Sequence, residues 1–119
     1  MQHFTNLAVW QRSHKLVLAL YRASVDFPLY ERYGLSSQLR RGALSVPTNV
    51  AEGCKRASQA DFARFLNLAE GSLSETEYLV IVSRDLGYIE PAAATRYLKE
   101  ITEISRMLAG LRAKIVRSV

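Results

Sequence analysis

A chain of 119 residues, 49% of them hydrophobic and 23% charged, has the length of one domain and the composition of an ordinary water-soluble globule. Sixteen Lys and Arg against eleven Asp and Glu leave a net charge of +5, which points outward toward an acidic partner without identifying one. Folding at this size hides about two-thirds of the unfolded chain's surface, enough for a core without staples, and the lone Cys54 excludes an internal disulfide or a cysteine-based zinc site.

The first periodic segment runs from about Leu7 to Phe27, with Val9, Trp10, Leu16, Val17, Leu20, Ala23 and Phe27 recurring at helical steps. Thr5 or Asn6 is placed to cap its start, and Pro28 closes it because the residue before a proline is pushed out of helical geometry. Leu29 to Gly34 then forms a short loop. The second segment spans about Leu35 to Arg56, with an apolar stripe of Leu39, Ala43, Val46, Val50 and Cys54. Pro47 lies inside it, where a proline costs about 3 kcal/mol in a regular helix. The pattern predicts a kinked but continuous helix, or two helices meeting near Ser45, with Ser45 and Thr48 satisfying the freed backbone groups.

Ser58 followed by Asp61 reads as a capping box that opens a third segment reaching about Leu86, ended by Gly87. The run Leu79-Val80-Ile81-Val82 is apolar all round, which predicts burial against more than two bundle neighbours. Pro91 suits the first turn of a fourth helix carrying Tyr97, Ile101, Ile104, Leu108, Leu111 and Ile115 in a heptad seam, with Arg96, Lys99, Glu100, Glu103 and Arg106 on the other face. No segment alternates with a period of two. The expected fold is all-α: a single domain over residues 1–119, an antiparallel up-down four-helix bundle with its second helix kinked near Pro47. The N-terminus has no basic and apolar leader, and the longest uncharged run, Gly42 to Ala51, is too polar to span a bilayer. With a single cysteine, these features predict a cytoplasmic protein without membrane contact.

Catalytic constellations are missing. A carboxylate-bridged metal pair would need Glu-x-x-His on two helices, and the sequence has none; His3 and His14 are its only histidines. Cys54 sits on an apolar stripe, although Lys55 and Arg56 would lower its pKa if it were exposed. No phosphate-binding glycine loop occurs, and Glu70, Glu75 and Glu77 read as solvated or paired acids. The chain is expected to be no enzyme, with no cofactor, no metal and no small-molecule substrate.

The charge excess belongs wholly to residues 1–60, where eight cations face Asp26, Glu31 and Glu52, while residues 61–119 balance eight against eight. Arg40 and Arg41 lie near the start of the second helix, Lys55 and Arg56 at its end, and Arg64 one turn into the third. Arg41, Ser45, Thr48, Glu52 and Lys55 share one face, opposite Leu39, Val46 and Val50. Such a face can hold phosphates. The same residues can instead be struts, with Glu52 paired to Lys55 or Arg56 and Arg41 to an acid of the third helix. Aromatic interleaving for base stacking is weak, with only Tyr30 and Tyr33 nearby. In the third helix Gly71 costs about 1 kcal/mol relative to alanine, so close approach by a helix of the same bundle or of another copy is its expected motive. Gly71, Ser72, Leu79, Ile81 and Val82 are therefore the candidate oligomer interface.

Several strings occur in order: Phe4-x-x-Leu7-x-Val9-Trp10-Gln11, Tyr33-Gly34-Leu35-x-x-Gln38-x-Arg40-Arg41, Ser45-Val46-Pro47-x-Asn49-Val50-Ala51-Glu52-Gly53, Phe62-x-x-Phe65-Leu66-x-x-Ala69-x-Gly71-Ser72-x-x-Glu75 and Leu86-Gly87-Tyr88. Over about residues 4–115 the chain thus resembles the bacterial four helix bundle proteins associated with 23S rRNA intervening sequences. The resemblance implies a small cytosolic bundle with no established enzyme activity. It is similar also to the accessory variability protein of diversity-generating retroelements, which implies a ring-like homo-oligomer, a pentamer, and contact with RNA or DNA. Among the matched positions it singles out Asn49, Glu52, Gly53 and Glu75 beside Arg40, Arg41, Gly71 and Ser72. Two functions follow as expectations: nucleic-acid binding through Arg40, Arg41, Lys55, Arg56 and Arg64, or a protein-interaction scaffold whose partner docks on the apolar third helix or inside the oligomer.

Overall fold

Four long helices make up nearly all of the computed structural model, which describes residues 3–117. Helix α1 is Ala8–Ser24, α2 Leu35–Cys54, α3 Gln59–Asp85 and α4 Pro91–Arg117. A 3₁₀ turn at Phe4–Asn6 precedes α1, so Leu7 stands at its cap with no side-chain bond, instead of the expected Thr5 or Asn6. Those two residues are consumed by the turn, where the Thr5 amide donates to the His3 ring. Helix α1 also stops before Phe27. The Val25 amide donates to the Arg22 carbonyl and the Phe27 amide to that of Ser24, tightening the end ahead of Pro28.

Helix α2 is continuous through a buried Pro47. The carbonyl that Pro47 leaves without an amide is that of Ala43, and neither Thr48 nor Ser45 takes it as expected: Thr48 Oγ1 donates to the Leu44 carbonyl at 2.8 Å, and Asn49 Nδ2 donates to the Ser45 carbonyl and to Ser45 Oγ, bracing the same turn. At the start of α2 the Glu31 carboxylate accepts from the Leu35 amide, and its second oxygen accepts from the Tyr88 hydroxyl across the α3–α4 loop. That phenol is held well above its usual range by its bond to Tyr30, by burial and by Glu31. The neutral form is therefore the one that folding favours, and its contribution fades only in strong alkali.

Ser58 caps α3 as the sequence predicts, accepting from the Asp61 amide at 3.1 Å. Gly87, at φ +82°, turns the chain out of α3, and the Tyr88 amide closes back on the Ser83 carbonyl. Pro91 occupies the first turn of α4.

Helices α1 and α3 each pack against both α2 and α4 and stand diagonally apart, which gives the up-down bundle. Leu20, Leu39, Leu66, Leu73, Ile104 and Leu108 fill its axis. Buried Ser13, Thr76 and Ser83 are satisfied within their own helices by donating one turn back. Arg12 on α1 clasps Glu100 on α4, and Arg112 on α4 clasps Glu70 on α3. Each hydrogen-bonded carboxylate holds its guanidinium still higher than usual. No described helix is long and apolar enough to cross a membrane.

The closest helix contact is not at Gly71. A Cβ added there would meet nothing within 4 Å, whereas at Gly53 it would lie 2.9 Å from both Phe62 Cδ1 and Phe65 Cβ, and at Gly42 3.1 Å from Thr76 Oγ1. Of the two approaches open to Gly71, none comes from a helix of this bundle, and Leu79, placed at the candidate oligomer interface, is buried in the core against Gly42 instead of forming an outer surface. Gly53→Ala should therefore lower the unfolding free energy by about 1–3 kcal/mol. Gly110→Ala, on α4 with open space around it, should raise it by about 0.5–1 kcal/mol. Urea unfolding followed by circular dichroism measures both signs.

Candidate nucleic-acid interface

The corner between α2 and α3 is built from Gly53 outward. Because position 53 has no side chain, the end of α2 settles on Phe62 and Phe65, and Arg56, two residues after Cys54, is carried onto the Phe65 ring. The Lys55 and Arg56 amides close on the Glu52 and Gly53 carbonyls. The Arg56 guanidinium then lies 4.5 Å from the centroid of Phe65, and that of Arg64, arriving from α3, lies 4.6 Å from it. Asp61 serves both, at 2.9 Å to Arg64 Nε and 4.0 Å to Arg56 Nε. Lys55 is exposed and, among the described residues, has no ion pair. Three cations thus share one corner, two of them oriented by a ring and a common carboxylate.

Arg40 and Arg41 do not join them. Fourteen residues of helix separate Arg41 from Lys55, about 21 Å at 1.5 Å per residue. The two arginines also face different ways. Arg40 turns toward α1: its Nε donates to Ser24 Oγ at 2.7 Å, its Nη2 to the Tyr21 carbonyl, and its guanidinium lies 5.0 Å from the centre of the Tyr21 ring. Of the two roles open to it, it fills that of a strut, which closes the frayed end of α1. Arg41 is exposed and makes no ion pair among the described residues, so the expected bond to an acid of the third helix is not formed. Nor does Glu52 pair with Lys55 or Arg56; Arg56 takes Asp61 instead.

The other singled-out residues sort by depth. Asn49 braces α2, and Ser45 Oγ meets Ser72 Oγ at 2.8 Å, so Ser72 joins α2 to α3 inside the bundle. Gly71 and Glu75 are exposed, the Glu75 carboxyl reaching toward Gly42 of α2, and Ile81 and Val82 are half-buried. Cys54 is half-buried, and burial pushes its thiol up against the opposing pull of Lys55. His14 stacks on Trp10 with ring centroids 5.0 Å apart. Among the described residues no three His, Cys, Asp or Glu side chains are placed to share a metal ion.

Two features escaped the sequence. Phe65 reads as core by its spacing and is buried, yet its ring face is the platform for both guanidiniums. Along α1, His14, Leu18, Tyr21 and Val25 follow at steps of 4, 3 and 4 on the solvent side, and Leu44 of α2 stands beside them 46% exposed. A hollow of about 280 Å³ floored by Trp10 and Pro47 opens at one end of this α1/α2 groove, and one of about 230 Å³ between Val25, Leu29 and Arg40 at the other. The stripe was hidden because the deeper row of Leu16, Val17 and Leu20 dominates the periodicity of α1.

Fold and corner together define an all-helical bundle with two guanidiniums steadied on one ring by one carboxylate. The family model for the 23S rRNA-intervening sequence protein matches residues 5–110, and the chain belongs to that family. It is similar in structure to a protein of unknown function from the S23 ribosomal protein family of Bacteroides thetaiotaomicron, with a TM-score of 0.79 and 25% identity. The alignment covers 88% of this chain and 98% of that one. Comparison with curated proteins gave no match.

The split between the neighbouring arginines is measurable. Arg40→Ala should cost about 1–2 kcal/mol of unfolding free energy, as expected for losing hydrogen bonds from a charged donor. Arg41→Ala should stay within about 0.5 kcal/mol of the parent. Chemical denaturation of the two variants side by side checks this.

Proposed function

We propose that this chain is a non-enzymatic, self-associating bundle of the cytoplasm that holds the phosphate backbone of RNA or DNA at its α2–α3 corner without reading bases. The observation that carries the proposal is the convergence of Lys55, Arg56 and Arg64, with Asp61, among the described residues, the one carboxylate in ion-pair range. Guanidiniums already laid on Phe65 lose little freedom when they engage phosphate oxygens, and Arg does so bidentately. Helix α3 starts at the same corner, so its first amides add positive potential. Membership of a family described by 23S rRNA intervening sequences supports a nucleic-acid setting. Self-association multiplies the effect: five copies at +5 amount to about +25, enough for salt-sensitive binding through charge alone.

Arg40 drops out of the binding surface, since its donors are occupied by Ser24 and Tyr21, and Arg41 serves only as a distant, separate charge. The test is a mobility shift with a transcript of a 23S rRNA stem-loop. Three phosphate contacts per chain predict a loss of roughly 40-fold in affinity between about 50 and 200 mM salt. Arg56→Glu with Arg64→Glu should weaken the shift strongly and flatten the salt slope of what remains by about one unit per lost contact, at unchanged helicity. No shift at micromolar protein in low salt, or a shift indifferent to that double reversal, refutes the proposal.

A further inference from the structure

The hollow of about 230 Å³ where α1 passes into α2 is lined differently from the rest of the groove. The guanidiniums of Arg32 and Arg40 and the hydroxyls of Ser24 and Ser36 share its walls with apolar Phe27 and Leu29, and no carboxylate is among them. Asp26 and Glu31, the acids of the same stretch, lie outside that lining, and the Glu31 carboxylate is engaged by the Leu35 amide and the Tyr88 hydroxyl. The carbonyl end of α1, which would repel an anion, is already met by donors: the Tyr21 carbonyl accepts from Ser24 Oγ and Arg40 Nη2, and the Ser24 carbonyl from the Phe27 amide. Ser36 is the residue that the fold alone leaves unexplained. It is only 7% exposed, yet its hydroxyl makes no hydrogen bond among the described residues, whereas a polar group buried this deeply is ordinarily bonded. No fully buried side-chain oxygen among the described residues lacks a partner, so the Ser36 hydroxyl keeps an opening to solvent, and the hollow is the space that Ser36 borders. Ser36 also stands in the first turn of α2, where its amide has no preceding carbonyl to bond and the positive end of the helix dipole falls.

We infer that this hollow binds a terminal phosphate, the dianionic group of a phosphomonoester, with the organic part of the ligand resting on the exposed Leu29 side chain. Arg32, which has no ion pair among the described residues and lies 5.7 Å from the centroid of the Tyr33 ring, takes two phosphate oxygens. The Ser36 hydroxyl and amide take a third. Arg40, held in place by Ser24 and the Tyr21 carbonyl, adds a charge of fixed position. At neutral pH a terminal phosphate carries a charge of about −1.5 to −2, which the two guanidiniums balance, while each internal phosphate of a strand carries only one. The site is remote from the α2–α3 corner, since nineteen residues of helix put Lys55 about 28 Å from Ser36 at 1.5 Å per residue, and it stands whether or not that corner holds nucleic acid. A free nucleotide and the end of a strand present the same group to it.

The experiment is an amide NMR titration of the full chain in phosphate-free buffer, with adenosine 5′-monophosphate, adenosine, and an adenylyl-adenosine dinucleotide with and without a 5′-phosphate as probes. The phosphorylated probes should move the Ser36 amide and the Arg32 side-chain signal saturably, and the unphosphorylated ones should leave both in place. A response to the monophosphate alone marks a free nucleotide as the source and a response to the phosphorylated dinucleotide a strand end; each supports the site. Arg32→Ala should weaken binding roughly tenfold or more and Ser36→Ala roughly fivefold. Both variants should keep the parent helicity and unfolding midpoint, because Arg32 is exposed and the Ser36 hydroxyl bonds nothing in the fold. Arg106→Ala, which removes an equal charge from the exposed side of α4, should leave the affinity unchanged. No saturable movement at Ser36 with either phosphorylated probe, equal movement with the unphosphorylated ones, or a loss of affinity as large in Arg106→Ala as in Arg32→Ala overturns the inference.

Discussion

At Gly53 the backbone of α2 lies against Phe62 and Phe65 so closely that even a methyl group would sit 2.9 Å from both. Most of what distinguishes this bundle follows from that approach. It sets how near the end of α2 comes to the start of α3 and how short the turn between them can be, with Ser58 receiving the next helix immediately. It also puts two arginines on one aromatic ring that would otherwise be only core. The same contact that is cheap for the fold, since glycine near a helix end sacrifices little, brings Arg56 and Arg64 together at one corner.

Elsewhere the positive charge is spent on holding helices together. Arg12 and Arg112 tie α4 to α1 and α3, and Arg40 caps the carbonyl end of α1. A formal +5 therefore does not say which cations can reach a partner. The informative quantity is which of them are left without a carboxylate, and on which side.

Helix positions, the Ser58 cap, the Gly87 stop and the seam of α4 could be read from spacing alone, because each depends on residues close in sequence. The site was only half legible. Adjacent residues on a helix point about 100° apart, so periodicity marks Arg40 and Arg41 equally as polar while one bonds α1 and the other faces water. Glycines posed a similar difficulty. Gly71, in mid-helix, looks like a packing device and has open space around it, while Gly53, near a helix end, looks like punctuation and is the tightest contact. What decides such cases is the neighbouring helix, whose register no single stretch of sequence encodes. The N-terminal cap was misplaced for a simpler reason: two good cap residues were already engaged in a 3₁₀ turn.

The packing at position 53 also constrains how this chain can vary among relatives. A side chain there would have to be matched by a smaller residue at 62 or 65, and the loss of Phe65 would remove the surface on which Arg56 and Arg64 rest. Five positions across two helices and the turn between them are thereby bound into one co-varying set. A lineage that drifts at any one of them must change the geometry of its basic corner or abandon it altogether.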